Sequence, residues 1–315
     1  MEGLRLMHPY IKQMQSLPLD AKIIKSQQRI QEWHDYFAYK GEGMYISFSG
    51  GLDSLVLLHI TRQRYPGTPA VFCDTGLEYP EVKQYAKNTP NVDVIRPKMS
   101  YKEVLERYGY PVVSKEQAQF IANVRNRKSD NKTYYIRMCG NNRGGGKISE
   151  KWKYLLDAPF KISEKCCDVM KKNPFKMYEK ETKRRPLLGN RAEEGSLRSG
   201  SSDGQTCNRF DNTRPYSTPL SFWTRQDILW YLLRENIEIP EIYGNIIEYK
   251  VGNTIKLKTT LEQRTGCMFC VFGVHRETQP NKFQRMRDTH PKLWKYCMNQ
   301  LGLKQVLDYM GIPYK

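Results

Sequence analysis

The apolar run Met44-Tyr45-Ile46-Ser47-Phe48 passes without a break into Ser49-Gly50-Gly51-Leu52-Asp53-Ser54, and no other stretch of this chain constrains it as much. The pattern reads as a buried strand, a glycine turn and the start of a helix running from Ser54 to about Tyr65. Two glycines let the backbone approach a bound group closely. The N–H groups of the turn and of the first helical turn face outward there, and the helix dipole adds its share, so the unit predicts a phosphate or pyrophosphate site. The spacing is neither the dinucleotide fingerprint nor the Walker A loop, because no Gly-Lys-Ser/Thr follows.

Further strands and helices alternate behind it. Ala70-Val71-Phe72-Cys73 predicts a second strand ending at Asp74-Thr75-Gly76, with a helix after Pro80. Val92-Asp93-Val94-Ile95 predicts a third, and Ser100-Tyr101-Lys102-Glu103 has the form of a capping box for a helix over residues 101–108. This alternation predicts an α/β fold, a parallel sheet flanked by helices, with ligands at the C-terminal strand ends. Upstream, Ile11, Met14, Ile23, Ile24, Ile30 and Trp33 form a helical apolar stripe over residues 10–40. Residues 114–160 read as an irregular basic insertion with a mobile Gly144-Gly145-Gly146 loop, and 195–215 as a flexible surface loop. Thr224-x-x-Asp227 caps a helix through Leu233. A Gly252-Asn253 turn joins a hairpin, and the chain is helical from Lys292 to Met310. We divide the chain into an N-terminal helical segment (1–40), a nucleotide-binding α/β domain (41–245) and a segment with the hairpin, a C-x-x-C and helices (246–315) packing on that domain.

Composition narrows the partners. With 39% hydrophobic and 27% charged residues over 315 positions, the chain suits a globular protein with a sizeable core. No run is long and apolar enough for a membrane span and no signal-peptide pattern is present, so a cytoplasmic location without a membrane partner is expected. The formal net charge of +18 implies a polyanion: nucleotide phosphates, DNA or RNA. Segments such as Arg125-Asn126-Arg127-Lys128 and Lys180-Glu181-Thr182-Lys183-Arg184-Arg185 carry part of it.

Eight cysteines in a reducing compartment suit metal ligands or reactive thiols better than disulfides. Cys166 and Cys167 are adjacent, and about a hundred residues later comes Cys267-Met268-Phe269-Cys270. Four thiolates in two pairs suit zinc or an iron–sulfur cluster. Cys73 falls in a strand and Cys297 in a helix, both as core residues. Cys139 and Cys207 lie in polar surroundings where basic neighbours would lower a thiol pKa, so either is a candidate sulfur carrier.

Several of these segments resemble one family. Ser49–Ser54 resembles the PP-loop, Ser-Gly-Gly-x-Asp-Ser, of enzymes that split ATP or a related adenylate between the α and β phosphates. Cys166-Cys167-x-x-x-Lys171-x-x-Pro174 resembles a segment of the phosphoadenosine phosphosulfate (PAPS) reductase family. Asp74-Thr75-Gly76-x-x-x-Pro80-Glu81 matches that family's segment at the end of the second strand. The stretch Gly189-x-Arg191-x-Glu193-x-x-Ser196-x-Arg198 is similar to its Arg-bearing segment, displaced by a residue or two.

The resemblance implies an adenine-nucleotide α-hydrolase-like fold, with nucleotide phosphates at Ser49, Gly50, Gly51, Asp53 and Ser54. It places Asp74, Thr75 and Gly76 at the nucleotide's border. Asp53 would hold Mg²⁺ or its waters, and Arg191 and Arg198 would face anionic groups, the three forming the catalytic set. The adenylyl-sulfate reductase branch further implies a [4Fe–4S] cluster on Cys166, Cys167, Cys267 and Cys270 beside Lys171; zinc is the alternative. Sulfonucleotide reductases also carry a nucleophilic cysteine in a C-terminal Glu-Cys-Gly tail, whereas no cysteine follows Cys297 here.

The expected function is therefore cleavage of Mg-ATP to AMP and pyrophosphate, activating a substrate such as a nucleic acid for sulfur transfer from a donor such as a cysteine desulfurase. One alternative is reduction of adenylyl sulfate or PAPS to sulfite with thioredoxin as partner. Another is a non-catalytic regulator that binds nucleotide or nucleic acid.

Overall fold

The structure, a computed structural model, describes residues 9–127, 131–194 and 207–315. It divides into two compact units that interleave along the chain rather than following the linear division above. The first takes in residues up to 74, 78–95 and 175–265; the second takes in 75–77, 96–174 and 266–315.

The first unit is built on a six-stranded sheet of order β3-β2-β1-β4-β6-β5. Its strands are β1 (Gly43–Phe48), β2 (Ala70–Cys73), β3 (Val92–Ile95), β4 (Arg184–Leu188), β5 (Asn208–Arg209) and β6 (Tyr216–Ser217). All neighbours pair in parallel except β5 with β6. In β1 and β2 nearly every side chain is buried, as a parallel strand covered on both faces requires. The chain runs outward from β1 through β2 to β3 and then returns to the other side of β1 as β4. The direction of winding thus reverses between β1 and β4, and the crevice beyond their C-terminal ends is where such a sheet takes a ligand.

Helices α1 (Pro9–Gln15), α2 (Leu19–Tyr39), α3 (Leu52–Arg64) and α4 (Pro80–Asn88) belong to this unit. The helical stripe read from the sequence is partly the core face: Ile11, Met14, Ile30 and Trp33 are buried, whereas Ile24 is exposed. The Thr224 cap forms a full capping box opening α9 (Arg225–Arg234), the helix that follows α8 (Asn173–Thr182) along the chain. Asp227 of that box also takes the buried Lys22 ammonium at 2.6 Å, tying α2 to α9. A separate two-stranded hairpin, β7 (Ile246–Val251) and β8 (Thr254–Thr259), turns at Gly252, whose φ of +58° a side chain would strain.

The second unit is mostly helical. It contains α5 (Tyr101–Tyr108), whose Ser100 capping box is complete, α6 (Lys115–Arg125) and α7 (Lys132–Cys139). The segment expected to be irregular is thus largely ordered. Ser114 and Asn131 accept the first free N–H groups of α6 and α7, and Ala118, Phe120, Ile121 and Val124 give α6 a buried face. Nor is Gly144–Gly146 an open loop. Asn141 Oδ1 accepts from the N–H groups of Arg143 and Gly145, and Arg137 donates to the Gly146 carbonyl. No described helix is long and apolar enough to cross a membrane.

Glu42 and Arg185 clamp the entrances of β1 and β4 through two hydrogen bonds of 2.6 and 2.8 Å. The Arg185 guanidinium holds the Glu42 carboxyl below its usual range. The clamp's contribution is fully present above the unfolded carboxyl pKa, about 4.3, and is lost as pH falls through the lowered folded value. Glu42→Gln should therefore cost about 1 kcal/mol at neutral pH and almost nothing near pH 3, as read by urea denaturation at both. Equal losses at the two pH values would contradict the clamp.

Candidate functional site

The loops that leave β1 and β4 meet at the switch point. After β1, Gly50 takes φ +70°, and a Cβ there would stand 2.7 Å from Val82 Cγ1 of α4. A side chain is excluded both by backbone conformation and by space. Gly51 is the N-cap of α3 and offers no side chain to the helix's first N–H groups, which leaves them for a ligand. Hydroxyls brace the loop from within: Ser54 Oγ donates to the Gly51 carbonyl at 2.7 Å, and Ser49 Oγ accepts from Gly51 N–H at 3.3 Å. After β4, Gly189 presses on the same turn, where an added Cβ would lie 3.2 Å from the Asp53 carbonyl and Ser54 N.

Arg191 joins the two loops. Its side chain is wholly buried, and Nε donates to Asp53 Oδ1 at 2.6 Å while Nη1 donates to Glu193. Glu193 in turn accepts from Arg225 N–H at the start of α9. The Asp53 carboxylate, 23% exposed, is therefore aimed by a buried guanidinium. Arg198 lies outside the described residues.

Arg225, Tyr243 and Thr265 complete this site. The Tyr243 hydroxyl shares a 2.5 Å hydrogen bond with Thr265 Oγ1 and lies 3.5 Å from the position a Gly51 Cβ would take. Burial raises the Tyr243 pKa, while Thr265, the Arg225 guanidinium and the Leu52 N–H pull it back. Arg225 is itself lowered by burial and held up by Asp53 and Tyr243. A guanidinium and two hydroxyls thus surround the start of α3, where the Leu52 N–H meets the Tyr243 hydroxyl. The helix cap at Thr224 was readable nearby, whereas the Thr265 hydroxyl carries no local signal.

Asp74 closes β2, buried and paired with Lys83 at 2.9 Å and Lys87 at 3.8 Å on α4. Thr75 and Gly76 fall in the second unit, where Thr75 Oγ1 accepts from Leu77 N–H.

The second unit brings Cys166, Cys167, Cys267 and Cys270 into one neighbourhood. Cys166 and Cys167 precede a π-helical turn, Asp168–Lys172, and Cys270 N–H donates to the Cys267 carbonyl in a tight turn. Burial raises the Cys166 thiol, and Cys267, Cys167 and Cys270 raise it further against Lys171. Cys167 is raised by burial and Cys267, opposed by Lys115 and Lys171. Burial pushes Cys270 up to about 11 against the pull of Lys282. The Tyr101 hydroxyl reaches the Phe269 carbonyl inside this turn at 3.3 Å, and its own ionisation is opposed first by burial and then by the surrounding thiols. Among the described residues, no three His, Cys, Asp or Glu side chains close on one point as a single ion requires. The four sulfurs share a neighbourhood without converging.

The remaining cysteines separate clearly. Cys73 and Cys297 are buried and Cys139 is exposed. Cys207, expected to be exposed, is half-buried beside Ser221 Oγ at 3.3 Å, and burial raises its pKa against the pull of Ser221, Arg29 and Arg209.

A mostly parallel sheet with a glycine turn and a helix N-terminus at its switch point defines a nucleotide-binding protein of the PP-loop class. Residues 43–130 and 113–271 match the model of the phosphoadenosine phosphosulfate reductase domain, and the chain belongs to that family. No curated protein matches it. Among solved structures, it is similar to the PAPS reductase of Candida auris in its phosphate complex, at 15% identity over 72% of this chain and 91% of that one, with a TM-score of 0.39. It is also similar to the FMN adenylyltransferase of Candida glabrata, at 12% identity over 78% and 73% of the two chains, TM-score 0.39. The ATP complex of that enzyme gives 13% identity over the same shares and a TM-score of 0.40.

Gly189→Ala should displace the first turn of α3 and weaken nucleotide binding about tenfold, or about 1.4 kcal/mol, by calorimetric titration. Tyr243→Phe, which leaves the packing intact, should weaken it by a smaller factor. Unchanged affinity in both variants would remove the site from this loop.

Proposed function

We propose that this protein binds Mg-ATP at Ser49–Ser54 and cleaves it between the α and β phosphates, activating a substrate oxygen for replacement by sulfur. One observation carries the reading: the buried Arg191 aims Asp53 at the uncapped start of α3, beyond the ends of β1 and β4. In this scheme the N–H groups of the glycine turn and the Tyr243 and Thr265 hydroxyls receive phosphate oxygens. Asp53 holds Mg²⁺ or its waters, and Arg225 offsets charge developing on the departing pyrophosphate. The substrate oxygen attacks the α-phosphorus as pyrophosphate leaves, and a sulfur nucleophile from a donor such as a cysteine desulfurase then displaces AMP.

Cys166, Cys167, Cys267 and Cys270 would hold a [4Fe–4S] cluster. Four thiols from two segments, with Lys115, Lys171 and Lys282 in electrostatic range, fit an anionic thiolate-ligated group. Zinc, held about 2.3 Å from each sulfur, is the alternative occupant of the same four residues. When bound, the cluster would supply an electron-rich, sulfur-binding centre, while Tyr101 and the lysines set its polarity and access to water.

The family match favours a second reading, reduction of a sulfonucleotide to sulfite. That reaction needs a thiolate nucleophile. Outside the four clustered cysteines, Cys139 is the exposed thiol among the described residues.

Anaerobic incubation with Mg-ATP and chromatography of the products tests the leading reading. AMP and pyrophosphate should form, and Asp53→Ala should abolish both. Formation of ADP, or sulfite from adenylyl sulfate or PAPS without ATP cleavage, would contradict it. Separately, protein purified anaerobically should absorb broadly near ~400 nm and lose iron on Cys267→Ser, whereas stoichiometric zinc would contradict the cluster.

A further inference from the structure

The second unit contains a cavity of about 920 Å³ that the reading above does not use. Its walls are the end of α5, the outer face and end of α6, and the strap Lys161–Lys165. Among the described residues five cations line it, Arg107, Arg125, Arg127, Lys161 and Lys165, against one carboxylate, Glu164, which pairs with Lys165 at 3.3 Å. All five cations are exposed.

The cavity's shape is fixed by backbone contacts rather than by the charged tips. Gly109 lies so close to the strap that a Cβ there would stand 2.4 Å from the Lys161 carbonyl carbon. Tyr110 N–H donates to the Lys161 carbonyl, and Ser163 N–H donates to that of Tyr110. Arg125 holds the carbonyls of Phe160 and Ala158 at 2.7 and 3.0 Å. These hydrogen bonds satisfy donors but leave the positive charge in place, so the cavity is a preformed concentration of cations.

We propose that this cavity is the docking site for a single strand of nucleic acid. Its volume lies in the range of sites that enclose small ligands, about 300–1,000 Å³, which admits a nucleotide or two of a single strand and not the cross-section of a duplex. Cations spread over three chain segments match a repeating phosphodiester better than one phosphate group. Between them stand Tyr108, whose ring carries Arg107 at 5.4 Å, and the amides of Asn123 and Asn126. These are the group types that stack on bases and bond to their edges.

The strap also leads somewhere: the residues directly after Lys165 are Cys166 and Cys167. Resting on the sulfur-transfer reading for its purpose, though not for its binding, the cavity would deliver the acceptor strand to the cysteine site.

The test is fluorescence anisotropy with labelled oligo-dT, oligo-U and a matched duplex, from about 50 to 200 mM salt. Single strands should bind more tightly than duplex; the two single-strand arms decide between DNA and RNA. Arg107→Ser/Arg127→Ser/Lys165→Ser should weaken single-strand binding at least tenfold and flatten the log–log salt slope by about 2. A milder Arg107→Gln/Lys161→Gln pair, both on exposed side chains, should show the same direction if the triple variant folds poorly. Removing equal charge from the hairpin by Lys250→Ser/Lys256→Ser/Lys258→Ser should cost far less.

Equal losses from the hairpin variant, tighter binding of duplex, or displacement of the strand by equimolar tripolyphosphate would each overturn the proposal. Binding of a fluorescent ATP analogue, measured on the same variants, should stay unchanged. Failure of ATP cleavage in the unaltered protein would therefore count against the nucleotide reading without touching this one.

Discussion

The Arg191–Asp53 pair is the interaction on which the proposed nucleotide site depends. A wholly buried guanidinium can be kept inside a protein only if carboxylates meet it, and here Asp53 and Glu193 do. Because Asp53 opens α3 and Arg191 leaves β4, the pair holds the two switch-point loops in a fixed relation. Gly189 permits the approach by having no side chain, and Gly50 permits the turn that precedes it. Truncating Arg191 would strand two acids at the site, so its removal would cost more than a contact.

The same charge imbalance acts differently in the two units. In the first, the basic groups nearest the glycine turn are few and positioned: Arg191 is spent on acids, and Arg225 stands by Asp53 and Tyr243. In the second, the cations around the strap are exposed and answered by a single acid. The first arrangement suits one small ligand held in one orientation. The second suits a flexible polyanion recognised chiefly by its charge.

Much of the fold was legible in the sequence because the signals were local. Tyr45 to Phe48 with Gly50 and Gly51 gave the first strand–turn–helix unit, and Ser100 and Thr224 marked helix starts that carry full capping boxes. The four cysteines could be grouped by spacing, and the structure draws them together in one unit. What could not be read depends on long-range packing. Tyr243 and Thr265 reach the α3 start across the fold of the first unit, and Tyr101 reaches the C-x-x-C turn from 168 residues away. The order of residues 114–160 was hidden because a basic, polar composition masked α6's short buried face. Cys207 misled because burial outweighs the pull that Arg29 and Arg209 exert on its thiol.

The central claim is that nucleotide phosphates sit on the uncapped start of α3 between the β1 and β4 loops. Hydrogen–deuterium exchange with and without a non-hydrolysable ATP analogue tests it most directly, because amide N–H groups are the proposed ligands. The account predicts slowed exchange in peptides covering residues 49–55 and 186–193, absent in Gly50→Ala protein. Slowed exchange confined to other segments, with both of these unchanged, would contradict it.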